Sequence, residues 1–323
     1  MKLRKMTSAG MMDCKKALEE AEGDFDKAVG IIREKGKLVA AKRADRETSE
    51  GAVKARVAGS KAVLVCLGCE TDFVSRNSDF QNLADAIVDV AIANAPADLE
   101  ALKACKMADG YTVAEAIEAQ TGKTGEKHVL AYYAIVEAPF VVEYIHALNG
   151  KLGALVGFNK EVPAEIAKGI VMQVASMNPV AISAADCPKE IVDNELQVAI
   201  QKTRDEQVQK AVEAALKKAG INPAHVDSED HIESNTAKGW LTPEQAAQAR
   251  EIIKTVSAEK AANLNEQMVQ NIAKGRLQKF FKEQTLEEQE YQMADGHISV
   301  KDALAAVDKE AKVVAFKRFT LTD

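Results

Sequence analysis

The side chains that could support metal or redox chemistry are five cysteines (Cys14, Cys66, Cys69, Cys105, Cys187) and five histidines (His128, His146, His225, His231, His297). Cys66-Leu67-Gly68-Cys69 is a lone Cys-x-x-Cys, with no second pair and no nearby histidine to complete a zinc set. It falls in a strand-like run, where positions three apart face opposite sides. The histidines form no Glu-x-x-His or His-Glu-x-x-His pattern. Gly122-Lys123-Thr124 resembles the end of a phosphate-binding loop. That pattern needs glycine five residues earlier, where Ile117 stands, and no buried strand precedes it. Gly-x-Ser-x-Gly is absent. The sequence therefore predicts no metal site, no cofactor and no covalent catalysis: not an enzyme. Five cysteines in so long a chain read as free thiols.

Bulk properties narrow the class further. The 323 residues suggest two or three domains. Hydrophobic residues at 47% and charged residues at 28% are ordinary for a water-soluble protein, and with only 5% aromatics helix should dominate. No apolar run approaches the roughly 20 residues of a membrane span, and no signal peptide precedes the polar start, so the cytoplasm is expected. A net charge of -7 argues against a nucleic-acid partner held by a whole-protein positive field.

Residues 1–36 read as a small helical module. Met12, Leu18 and Ala21 are expected on one helix face, Gly23 stops that helix, Asp24 caps the next, and Gly36 ends it. Residues 37–50 are charged, without an apolar period, and read as a solvated linker. Strand signals follow at Val53, Ala55 and Val57 and in the apolar run 62–67, with helix over 83–93 and another strand over 128–137. The layout recurs: strand 140–148, the turn pair Asn149-Gly150, strand 152–158 and helix 166–176. Leu64-Val65 matches Leu155-Val156 at an offset of 91, whereas Ile87-Val88 matches Ile170-Val171, and Pro96 matches Pro179, at 83. This reads as a degenerate duplication, whose first copy carries about eight extra residues between strand and helix. The extra stretch includes Cys69-Glu70-Thr71-Asp72-Phe73-Val74-Ser75-Arg76-Asn77. A phenylalanine in so polar a loop would ordinarily fold back onto its own core.

After Pro188, apolar residues at Val192, Leu196, Ile200, Val208, Val212 and Leu216, broken by Arg204, predict a helix of roughly 45 Å that Gly220 ends. Residues 220–239 read as a polar loop. Thr242-Pro243-Glu244-Gln245 is a capping-box helix start, and apolar positions from Ile252 to Leu277 suggest the return arm of an antiparallel hairpin. A helix over 300–307 and a strand over 313–321 close the chain. The expected fold class is α+β: a helical module (1–36), a linker (37–50), a core of related halves (51–139; 140–188 with 276–323), and a coiled-coil-like helical protrusion (189–275).

Two motifs carry a family resemblance. Leu3-Arg4-Lys5-Met6-Thr7-Ser8-Ala9-Gly10-Met11-Met12-Asp13-Cys14-Lys15-Lys16-Ala17-Leu18 resembles the opening signature of the elongation factor Ts family. Glu70-Thr71-Asp72-Phe73-Val74, inside the extra stretch, resembles that family's second signature, and Ala273-Lys274-Gly275-Arg276-Leu277-Gln278-Lys279-Phe280 and Phe316-Lys317-Arg318-Phe319 are similar to later segments. The resemblance covers nearly the whole chain. It implies a ubiquitin-associated-like three-helix N-terminal domain, and a nucleotide exchange factor that frees GDP from the GTPase elongation factor Tu without binding nucleotide itself. It implies that Thr71, Asp72, Phe73 and Val74 disturb the partner's Mg²⁺ site, while Met11, Met12 and Lys15 touch its GTPase domain and His146 touches it from the core. Read without the family, Met11 and Met12 belong to a core, Lys15 is a solvated charge and His146 a satisfied strand residue.

Three departures from the family pattern stand out. Only two residues precede Leu3-Arg4, Ser8 replaces the usual glycine, and the protrusion is longer than in many members, while the chain stops soon after Phe319 without the extra helix some carry. Two other function classes compete: a ubiquitin-associated-like helper whose hairpin binds RNA or a nascent chain, and a thiol redox enzyme using Cys66 and Cys69. The acidic balance argues against the first, and the strand geometry against the second.

Overall fold

The computed structural model describes residues 1–7, 9–147 and 150–321. Ser8, Asn149 and the strand end expected at Leu148 lie outside the described residues. The chain forms two compact units, residues 1–182 with 286–323 and residues 183–285.

In the first unit, α1 (Lys2–Thr7), α2 (Met11–Glu20) and α3 (Phe25–Lys42) surround a small core of Leu3, Cys14, Ala17, Ala21 and Ala28. The Asp24 side chain caps α3 by accepting from the amides of Asp26 and Lys27, each at 3.0 Å. Two expectations change here. The buried stripe of α2 is Cys14, Ala17 and Ala21, because small side chains let the neighbouring helices approach, and Met12 is exposed. Helix α3 runs through Gly36 to Lys42, so the first part of the expected linker is helical. Gly36 is a crossing point, not a stop: a Cβ on it would lie 3.1 Å from the Glu118 carbonyl oxygen, on the helix it packs against.

Strands β1 (Glu50–Ala58) and β2 (Lys61–Cys69) form a hairpin. The chain continues through α4 (Asp72–Ser75), α5 (Ser78–Asn94), α6 (Leu99–Ala104) and α7 (Val113–Thr124) into β3 (Val129–Glu137), which pairs antiparallel with β2. Gly122 lies inside α7 and serves the crossing with α3, which accounts for the false phosphate-loop signal. Hairpin β4 (Phe140–Ile145) and β5 (Leu152–Phe158) is followed by α8 (Ala164–Met177).

The second unit begins before α9 (Lys189–Lys218) and contains α10 (Glu229–Ala237), α11 (Pro243–Ala262) and α12 (Glu266–Gln284). The chain then returns to the first unit for α13 (Val300–Val307) and β6 (Val313–Thr320), which pairs with β5. The architecture is thus mixed α+β, with two three-stranded antiparallel sheets, β1-β2-β3 and β4-β5-β6. Among the described residues no helix is long and apolar enough to cross a membrane.

Strand alternation divides the first unit's core into layers. Val63, Val65, Leu67 and Cys69 of β2 face α5 and α7, while Ala62, Leu64 and Cys66 face the other sheet. On β5, Ala154, Val156 and Phe158 face α8 and α13, and Leu155 faces the inter-sheet core. Gly153 and Gly157 fill the remaining inter-sheet positions, where a Cβ would lie 2.7 Å from Leu64 and 2.8 Å from Ala138. The face assignments of β2 and β5 therefore agree residue by residue at the offset of 91. So do the register shifts, at Cys66/Leu67 and at Gly157/Phe158. Helices α5 and α8 bury Ala84, Ile87, Val88 and Ala91, and Ala167, Ile170, Val171 and Val174, at the offset of 83. Both end on a left-handed residue before a proline, Ala95 (φ 45°) and Asn178 (φ 46°).

In the second unit, α9 packs along both α11 and α12, which are separated by a break at Asn263 and restarted by the Asn265 cap. Ion pairs Arg204–Glu266 (2.7 Å) and Arg276–Glu206 (2.5 Å) tie α9 to α12. Helix α12 passes through position 275, so the boundary expected there falls within a helix. The expected loop 220–239 contains α10, which the Ser228 hydroxyl caps by accepting from the His231 amide. Its buried residues are Ile232 and Asn235, too few apolar positions to show a period in the sequence.

Candidate functional site

The extra stretch of the first half forms a tight turn. Thr71 occupies the N-cap position of α4, and Val74 packs against the core beneath α5. Ser75 is buried; its hydroxyl donates to the Asp72 carbonyl, and its own carbonyl accepts from the Gln81 side-chain amide at 2.6 Å. Phe73 does not fold back. It is 85% exposed, more so than the lone tryptophan Trp240 at 62%. With Ser75 and Val74 turned inward, the short helix leaves the Phe73 ring pointing to solvent. Asp72 stands beside it, in an open ion pair with Arg76 at 3.3 Å.

The base of this turn is held by residues that the sequence reading passed over. The Glu126 carboxylate accepts from the Thr71 hydroxyl at 2.7 Å and from the Thr71 amide at 3.1 Å. The Glu70 carboxylate accepts from the Lys127 amide at 2.6 Å and from Arg43 at 2.9 and 3.1 Å. The Lys127 amide, and then Arg43, hold the Glu70 carboxyl below its usual range, with burial opposing them. The Lys127 ammonium donates to the carbonyls of Ala44 (2.6 Å) and Arg46 (2.9 Å). The segment after α3 is therefore clasped to the turn. Partners such as Thr71 and Glu126 are 55 positions apart, and charged residues without local periodicity give no signal of such a pairing.

Beneath the clasp, His128 is buried, and its Nδ1–H donates to the Glu126 carbonyl at 2.9 Å. Its Nε2 has no hydrogen-bond partner among the described residues. Burial lowers the His128 pKa, against the Glu126 carbonyl bond and the Glu126 and Glu70 charges, which raise it. The folded state thus favours the neutral imidazole, and that contribution is complete above the ordinary histidine value of about 6.5. It is lost as pH falls from there through the lowered folded value, because the unfolded chain binds the proton first. Acidification from about pH 7.5 to about pH 5.5 is expected to lower the Tm of the wild type further than that of His128→Gln. Paired calorimetric scans check this, and equal drops would count against it.

The other expected site residues lie on different elements. Met11 and Met12 are 65% and 63% exposed, which corrects their reading as core. Met11 and Lys15 border a shallow groove with Leu3, Arg4 and Leu18, and Lys15 pairs with Glu19 at 3.7 Å, both exposed. His146 sits just after β4, not within a strand, and is half-buried. Its amide donates to the Leu152 carbonyl, and its Nδ1 lies 2.9 Å from the Tyr144 hydroxyl. The structure thus gathers Thr71, Asp72, Phe73 and Val74 into one turn, sets Met11 and Lys15 along one groove, and leaves His146 at the end of a hairpin strand.

No thiol chemistry emerges from Cys66 and Cys69. They face opposite sides of β2, and burial pushes each thiol up to about 12. What the turn offers is a carboxylate and an aromatic ring on a stiff base. Such a pair can compete for a cation and wedge into another surface.

Comparison with known proteins bears on the same region. The family model described as Elongation factor TS matches residues 70–323, beginning at the turn. Elongation factor Ts of Bacteroides fragilis is 56% identical over 320 residues, covering 99% of this chain and 96% of that protein. The elongation factor Ts proteins of Bacteroides thetaiotaomicron and Phocaeicola vulgatus are also 56% identical, with the same coverage. With a matched segment and relatives spanning nearly its full length, the chain belongs to the elongation factor Ts family.

Proposed function

We infer that the turn of residues 71–74 is the working element of this chain. As a member of its family, the protein is a guanine-nucleotide exchange factor for elongation factor Tu. It promotes GDP release so that GTP can bind, and it performs no covalent catalysis. GDP is held on such GTPases largely through its phosphates and Mg²⁺. Asp72 and Phe73 enter beside that metal site, and the partner's phosphate-binding elements shift. Met11, Met12 and Lys15 dock on the GTPase domain, with His146 as a further contact from the core. The observation that carries this reading is the Phe73 ring, exposed on a turn whose base is hydrogen-bonded on several sides.

Exchange factor and nucleotide oppose each other by one coupling energy. A 10⁴-fold weakening of nucleotide needs about 5.5 kcal/mol of differential binding. One aromatic anchor contributes about 2–4 kcal/mol. The turn therefore acts together with the N-terminal and core contacts.

The three N-terminal helices are read as a ubiquitin-associated-like domain. The two sheet halves are read as copies of one unit, supported by their matching faces, register shifts and left-handed helix caps. The helices after Cys187 are read as the protrusion, and the cytoplasm as the site of action. Stopped-flow release of a fluorescent GDP from elongation factor Tu tests the function. Mixing with micromolar protein is expected to accelerate release strongly, and an unchanged rate with a partner from the same source would overturn the reading.

A further inference from the structure

Threonine at a helix N-cap ordinarily turns its hydroxyl inward and accepts from an amide of the first turn. Thr71 does not: α4 has no side-chain cap, and the Thr71 hydroxyl donates outward to Glu126. A local stabilisation has been exchanged for a tie to a residue far along the chain. Because Glu126 takes both the hydroxyl and the amide of one residue, it fixes the orientation of the turn as well as its place. Glu126 is itself held: its amide donates to the Thr124 hydroxyl at 3.2 Å, and its carbonyl accepts from the buried His128. From Thr71 the chain passes directly to Asp72 and Phe73.

We propose that Glu126 is a positioning residue for nucleotide exchange, aiming the Asp72-Phe73 turn through its paired hydrogen bonds to Thr71. The proposal rests on the reading of Phe73 as the intruding side chain. A turn already aimed in the free protein need not be ordered on the partner, which favours the step in which the metal site opens. Glu126 does not touch the partner's nucleotide in this scheme; it acts only through the turn. Its loss should therefore reduce the maximal exchange rate and leave affinity for elongation factor Tu nearly unchanged.

A double-mutant cycle in the GDP-release assay, with binding measured separately and melting curves as a folding control, tests this. Glu126→Gln keeps the shape but weakens the acceptor. It is expected to slow maximal release about tenfold, the size of one charge-assisted hydrogen bond. Thr71→Val, which removes the donor hydroxyl, is expected to match it and to add nothing in combination. In a Phe73→Ala background, Glu126→Gln should have a much smaller effect, the remainder passing through Asp72. If Phe73→Ala slows release and Glu126→Gln does not, the proposal fails while the reading of the turn stands. If Glu126→Gln slows release equally with or without Phe73, Glu126 acts by another route and the proposal fails. If Phe73→Ala has no effect, the underlying reading falls and takes the proposal with it.

Discussion

Phe73→Ala is expected to slow GDP release from elongation factor Tu by about thirtyfold or more, without lowering the Tm of the free protein. The kinetic part follows from the size of one aromatic anchor, about 2–4 kcal/mol when it fills a pocket on a partner. The stability part follows from exposure: a ring 85% open to solvent contributes little to the fold. The two readouts move independently, which makes the test sharp. A lower Tm with unchanged exchange would mean that Phe73 serves the core after all. Residual acceleration is expected, since docking surfaces elsewhere on the chain remain.

Gly122→Leu is expected to destabilise the N-terminal module by about 1–3 kcal/mol. At Gly122, a Cβ would lie 2.9 Å from the Gly36 Cα, so backbone meets backbone where α3 crosses α7. Leucine at a free helical position would instead stabilise by nearly 1 kcal/mol relative to glycine. The sign of the change therefore decides whether the crossing is close. Hydrogen exchange over α3 and proteolysis within 37–50 should both rise in the variant. Unchanged protection, or a higher Tm, would mean that the helices do not meet there.

The elements with strong periodicity were legible before any coordinates. Strand β2, the helix 83–93 and the long helix after Pro188 all stand close to where alternation, helical spacing and prolines put them. Helix α10 was not legible, since it buries little apolar surface. Gly36 misled because a glycine that permits a crossing looks the same in sequence as one that stops a helix. At the site, comparison of the halves isolated the stretch containing Phe73, but apolar character alone argued for folding it inward. Its exposure follows from the inward commitment of Val74 and Ser75, which a residue-type argument does not weigh. The clasp of Arg43, Glu70, Glu126 and Lys127 was invisible because charges pair across long sequence separations with no repeating pattern.

One detail of the fold bears on how this chain can change over generations. The first unit is left after Ile182 and re-entered at Leu286, and the amides of Leu286 and Glu287 donate to the carbonyls of Ala181 and Ile182, each at 2.9 Å. The two ends of the excursion are thus buttoned together, whatever lies between them. The entropy of closing such an excursion grows only logarithmically, by about 0.6 kcal/mol per doubling. The excursion also carries its own apolar cluster, with Leu216, Ile221, Ile232 and Leu241. Insertions or deletions within the excursion are therefore expected to leave the fold of the first unit in place, so this part of the gene can drift or specialise on its own clock.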